Sequence, residues 1–101
     1  MARQQITAII YDRKGNVLSI GQNSYVKTHP LQAKHAEIVG EPYKMFLHAE
    51  IHAITKCKQL NKAHRIYISR YSKDGVPVNS KPCPVCMSAI RATNIKIIEH
   101  T

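Results

Sequence analysis

The chemistry this sequence can perform is concentrated in two short clusters, His48-Ala49-Glu50 and Pro82-Cys83-Pro84-Val85-Cys86. One imidazole and two thiols suit Zn²⁺, and three protein ligands leave the fourth tetrahedral position to water, as in catalytic rather than closed structural zinc sites. Glu50, two residues beyond the imidazole, is placed to carry protons to and from that water. Redox pairing of Cys83 with Cys86 is the competing reading, and the upstream His-x-Glu makes it the weaker one. His48 and His52 stand four apart, as in a two-His metalloprotease, but that motif places Glu directly after the first His and here Ala49 intervenes. A closed zinc finger would need His29, His35 or His52 as a fourth ligand.

His-x-Glu followed by Pro-Cys-x-x-Cys resembles the zinc nucleobase deaminases of the cytidine and deoxycytidylate deaminase superfamily, and the resemblance runs from about Ile6 to the C-terminus. It implies a cytidine deaminase-like α/β fold of three layers, α-β-α. In it a mixed sheet of about four strands has an antiparallel first hairpin and parallel later strands, and two core helices carry the zinc site. It implies His48, Cys83 and Cys86 as zinc ligands and Glu50 as the catalytic acid-base group. Glu50 would take a proton from water attacking C4 of cytosine, deliver it to ring N3, and later protonate the departing amine.

The resemblance also narrows the substrate. A His ligand in His-Ala-Glu is similar to the deoxycytidylate, tRNA-adenosine and polynucleotide cytidine branches, whereas free cytidine deaminases usually carry Cys there. Asn23 matches the position where relatives place an Asn that binds the sugar hydroxyl; the alternative is a turn-forming Asn. Ala49 is expected beside the substrate with it. Ala53-Ile54 and Ile90 echo deoxycytidylate deaminases, while His52 stands where those enzymes often have Asn or a small residue. The expected reaction is therefore hydrolytic deamination of cytosine to uracil on a phosphorylated (deoxy)cytidine such as dCMP. The alternatives are a deaminase acting on cytosine or adenine in single-stranded DNA or RNA, and a non-catalytic, zinc-stabilised nucleic-acid-binding module, which the retention of Glu50 disfavours.

The elements that must position these residues are legible in the same sequence. Ile6 to Tyr11 and Val17 to Ile20 are apolar runs around Asp12-Arg13-Lys14-Gly15-Asn16, a β-hairpin pattern. Pro30 as a helix start and Gly40 as a stop predict a short helix over 30–39. From His48, the positions Ala53, Ile54, Cys57 and Leu60 share one helical face with Glu50. Arg65 to Tyr71 alternates as a strand. Pro84 fits the first turn of a second core helix bearing Cys83, Cys86, Met87 and Ile90, which Asn94 would end in the left-handed conformation. Ile95 to Ile98 is expected as the last strand, reached by a parallel crossover. Cys57 reads as a core thiol. His29, His35, His64 and His100 read as surface histidines, with His29, in Thr28-His29-Pro30, a further candidate for the pocket.

Composition sets the outer bounds. The 101 residues, 44% hydrophobic, supply one core and one expected domain over 1–101, burying roughly 60–68% of the unfolded surface. No apolar run reaches the roughly 18–20 residues of a membrane span, and Met1-Ala2-Arg3-Gln4-Gln5 lacks a secretory apolar stretch, so a cytoplasmic protein without a membrane partner is expected. The formal charge of +9, from 15 Lys+Arg against 6 Asp+Glu, attracts phosphate on a nucleotide or a polymer and competes with the simpler reading of a solvated surface. The six aromatics form no stacking ladder, which favours a small substrate. The resemblance further implies a loop, helix and strand beyond the fourth strand, where this sequence stops at Thr101. A homo-oligomer is therefore expected, with the Gly21–Leu47 segment, Lys27 or Lys81 of one subunit lining another's pocket.

Overall fold

Asp12 makes the first turn of the chain: its carboxylate accepts hydrogen bonds from the Lys14 and Asn16 backbone N–H groups at 2.9 and 2.8 Å. Gly15 supplies a left-handed residue at φ 89°, which costs a residue without Cβ little. This turn joins β1 (Ile6–Tyr11) to β2 (Val17–Gln22) as the expected antiparallel hairpin. In the computed structural model, which describes residues 5–24, 28–40, 48–72 and 74–101, the chain continues through α1 (Pro30–Ile38), α2 (Ala49–Lys56), β3 (Arg65–Arg70), α3 (Pro84–Arg91) and β4 (Ile97–His100). The strands form one mixed sheet in the order β2-β1-β3-β4, antiparallel except for the β3–β4 pair, which is parallel. The expected α/β fold with four strands is the one observed.

The core lies on one face of this sheet. Ala8, Ile10, Ile66 and Ile68 are fully buried and form a single cluster with Ala36 of α1, Ile51, Ala53 and Ile54 of α2, and Val85, Cys86, Ala89 and Ile90 of α3. α2 lies directly on β2. Gly21 makes that approach possible, because a Cβ there would stand 2.5 Å from the Ala49 carbonyl oxygen and 2.8 Å from Ala53 Cα. The Ser19 hydroxyl donates to the Ala53 carbonyl at 2.7 Å just beneath. The opposite face carries Ile9, Ile20, Tyr67 and Ile97; Ile20 and Ile97 are 46% and 42% exposed, and the described residues leave this face open.

Three expected element ends are corrected. The helix beginning at His48 stops at Lys56 rather than continuing through Leu60, because Cys57 is extended, at ψ 107°. Leu60–Lys62 then forms a 3-10 turn leading into β3. Asn94 is not left-handed, since no described residue other than glycine has a positive φ. α3 ends at Arg91 with Ala92 as its C-cap, and Thr93 just beyond donates its hydroxyl to the Ile90 carbonyl and accepts the Ile95 N–H at 3.2 Å. The last strand runs over Ile97–His100 rather than 95–98: Ile95 drops into the core at 9% exposure, and the Lys96 and Ile97 N–H groups both turn to the His64 carbonyl, at 2.9 and 3.1 Å.

Candidate active site

Both clusters singled out in the sequence occupy helix starts. His48 is the N-cap of α2 and Cys83 the N-cap of α3, with Pro84 in the first turn and Cys86 two residues further along. The His48 side chain makes no capping bond to its own helix and turns to the two thiols. His48 Nδ1 lies 3.1 Å from Cys86 Sγ and 3.6 Å from Cys83 Sγ. All three ligand atoms fall within 4.8 Å of one another. Ligands at Zn–S of 2.3 Å and Zn–N of 2.0–2.1 Å on a tetrahedron stand about 3.5 Å apart, so this donor set and spacing fit a zinc ion. Among the described residues no other His, Cys, Asp or Glu joins the group.

The electrostatics follow from the crowding. The thiol of Cys86 donates towards Cys83, and His48 adds a hydrogen bond, so Cys83 is held as a thiolate with a pKa of about 3 against the opposing cost of burial. The hydrogen bond to Cys83, burial and the nearby Glu50 push the Cys86 thiol up. Glu50 is 6% exposed. Burial raises its carboxyl above the usual carboxylate range, opposed by its own backbone N–H, the Cys86 thiol and the charge of His48. A desolvated carboxyl touching a metal site is the arrangement from which proton transfer is efficient near neutral pH.

These groups open into a cavity of about 400 Å³ lined by Ile6, Asn23, Ser24, His48, Ala49, Glu50, Arg70, Asn79, Ser80, Lys81 and Cys83, within the size range of small-molecule sites. The expected residues Asn23, Ala49 and Lys81 are thus brought together with the acid and the ligands. The Asn23 side-chain oxygen accepts the Ile6 N–H at 2.8 Å while the Asn23 backbone N–H donates to the Ile6 carbonyl at 3.2 Å, which fixes the residue at the end of the hairpin. His29 is instead the N-cap of α1, its Nδ1 accepting the Leu31 N–H at 3.0 Å, and it is not among the residues lining the cavity. Lys27 and the whole stretch over 41–47, with Tyr43 and Phe46, lie outside the described residues.

The remaining histidines separate. His52 Nδ1 sits 3.0 Å from the backbone N–H of Gln22, tying α2 to the end of β2 and away from the metal group. His35 is corrected from the surface to the interior: it is 5% exposed, with Nδ1 2.8 Å from Ser88 Oγ of α3. Cys57 is buried in the core, as expected.

Sequence reasoning missed two contributors. Gln32, fully buried in α1, accepts the His48 backbone N–H at 3.3 Å. The loop after β3 is folded back by Ser80, whose hydroxyl donates to the Ile68 carbonyl at 2.8 Å and whose N–H donates to the Thr101 carbonyl at 2.8 Å. Loop polarity and a lone helical Gln give no signal of either in one sequence.

The family of the cytidine and deoxycytidylate deaminase zinc-binding region matches residues 1–99, and the chain belongs to it. No curated protein matched the chain significantly.

Proposed function

We propose that this zinc-binding family member is a hydrolytic deaminase that converts cytosine to uracil on a phosphorylated (deoxy)cytidine such as dCMP. The observation that carries the reading is the burial of the Glu50 carboxyl beside His48 and Cys83 in the same cavity. His48, Cys83 and Cys86 would hold the zinc, which when bound supplies an acidified water as the nucleophile at C4. Glu50 takes the proton released by that water and passes it to ring N3. The same carboxyl then takes the remaining hydroxyl proton at C4 and delivers it to the amino group, the C4–N bond breaks, and ammonia leaves as the carbonyl of uracil forms; one water is consumed for each ammonia released. Ala49, between ligand and acid, lies against the base, and Asn23 meets the sugar.

The α2 and α3 N-termini direct backbone N–H groups into this region, which stabilises thiolates and developing negative charge. The setting proposed is cytoplasmic, where Cys83 and Cys86 stay reduced; no described helix is long and apolar enough to cross a membrane. The proposed assembly is a homo-oligomer of single-domain subunits, in which a neighbour completes the pocket, and the apolar open face of the sheet offers contact surface. The formal charge of +9 favours a second reading, deamination within a single-stranded polynucleotide.

One assay tests the function. Zinc-loaded protein is incubated with cytidine, deoxycytidine, their mono- and triphosphates, and single-stranded DNA and RNA, and products are weighed for the gain of about one mass unit as NH₂ becomes carbonyl oxygen. Turnover of mononucleotides but not polymers supports the leading reading; absence of turnover on every cytosine substrate refutes it.

A further inference from the structure

The alternation of β3 sends Ile66 and Ile68 into the core, and the next residue on that face is Arg70. A cation therefore occupies a strand position whose two predecessors are fully buried isoleucines. Its Nε is buried and has no hydrogen-bond partner, and no ion pair joins its guanidinium to an acid among the described residues. Removing a guanidinium nitrogen from water without a partner is unfavourable, and such groups persist where something else completes them.

The surroundings indicate what does. Arg70 lines the cavity that holds Glu50. It pairs across the sheet with Ile6, the residue whose backbone holds Asn23, so Arg70 and Asn23 flank one strand end. Its backbone is fixed on both sides: its N–H donates to Thr101 Oγ1 at 3.1 Å and its carbonyl accepts the Val78 N–H at 2.9 Å. Exposed Lys81 lines the same cavity from the loop. A planar guanidinium on a fixed backbone beside an exposed ammonium is the donor set that recognises a phosphate, the guanidinium through paired N–H···O contacts and the ammonium as a point charge.

We infer that Arg70, assisted by Lys81, is the anion-recognition group of this cavity and selects a substrate bearing a 5′-phosphate monoester. The assignment rests on the deaminase reading for the identity of the base but not for the anion. The phosphate completes the buried Nε, and the bond energy goes to the nucleotide and not to the bare nucleoside.

The test uses the zinc-loaded full chain and two readouts. Calorimetry with inorganic phosphate measures anion binding without catalysis. Steady-state kinetics compare a nucleoside, its 5′-monophosphate and a single-stranded oligonucleotide. Arg70→Gln is expected to weaken phosphate binding and to raise KM for the monophosphate, each by roughly 10- to 100-fold, with the nucleoside unaffected. Arg70→Lys should recover part of the loss, and Lys81→Gln should give a smaller effect of the same kind. Equal impairment of nucleoside and nucleotide would show a structural role and overturn the inference, as would phosphate binding that survives Arg70→Gln. Preference for the oligonucleotide over the monophosphate would overturn the monoester assignment. Phosphate binding lost with Arg70→Gln in a protein that turns over no cytosine substrate would uphold the anion site while refuting the deaminase reading.

Discussion

Replacing Gly21 with Ala tests the contact that sets α2 against the sheet. The added Cβ would meet the Ala53 amide nitrogen as well as the Ala49 carbonyl oxygen at 2.5 Å, and all these neighbours are backbone, so no side chain can swing away. Restoring an ordinary contact of 3.4 Å requires α2 to withdraw by at least about 0.9 Å, which loosens the packing of Ala49 and Ala53 and moves the helix that carries His48 and Glu50. Overpacking of this kind costs roughly 1–3 kcal/mol. At about 4–8 °C per kcal/mol for a domain of this size, the melting temperature should fall by about 4–24 °C. Because the displaced helix opens with a zinc ligand, zinc should also be lost to a competing chelator more readily. Gly15→Ala is the control: its Cβ meets nothing within 4 Å, so its cost comes only from the left-handed backbone, roughly 1–2 kcal/mol, and zinc affinity should not move. Differential scanning calorimetry and a chelator titration on both variants decide the matter. A Gly21→Ala protein that melts within a degree or two of the parent and holds zinc equally well would refute the close helix–strand approach and its link to the site.

Three further outcomes are expected. Glu50→Gln removes the proton carrier but no ligand, so zinc content and melting temperature should persist while turnover falls by at least about 100-fold, whereas Cys83→Ala should lose zinc and stability together; elemental analysis and melting curves separate the two, and an active Glu50→Gln enzyme would end the proposed mechanism. Burial, with a lesser contribution from the charge of Lys34, holds the His35 pKa below its ordinary 6.5. The unfolded chain then binds the proton more readily, so this stability is present above about pH 6.5 and is lost as pH falls towards the folded value. His35→Gln should flatten that part of the stability profile, and identical acid limbs for the two proteins would contradict the burial. Light scattering at micromolar concentration should report more than one subunit, and a fully active monomer would remove the proposal that a neighbour completes the pocket.

What the sequence revealed depended on how locally each feature is encoded. The hairpin was legible because Asp12 and Gly15 make their turn through hydrogen bonds within five residues. The metal group was legible although its ligands come from two helices, because each sits at a helix start marked by its own local pattern, Pro84 above all. Features decided by tertiary contacts were misplaced. An apolar run from Ile95 reads as a strand, yet the core claims Ile95 and the ladder begins only where Ile97 meets Arg65. His35 lies on a helix with a weak apolar face, and only its meeting with Ser88 makes the site interior. Arg70 carried a signal that went unused: a cation in register with two inward isoleucines contradicts the alternation, and such contradictions are where function is to be sought.

The cavity has two walls of different construction, and their separation must be held for the chemistry to work. One wall is the pair of helix starts with His48, Glu50 and Cys83; the other is the strand end with Asn23, Ile6 and Arg70, extended by the loop over 79–81. β2 bridges them. Gly21 touches α2 backbone to backbone, His52 of the same helix holds Gln22, and Asn23 follows at the cavity. Three consecutive residues at the end of β2 and just beyond it thus transmit the position of the acid-bearing helix to the residue proposed to meet the sugar. A nucleotide anchored by its phosphate near Arg70 would present its base at a distance set by this contact and not by loop flexibility, because positioning to well under 1 Å is what converts bound proximity into rate. His52 is therefore a positioning residue on this account, its ring joining the helix to the strand backbone at Gln22.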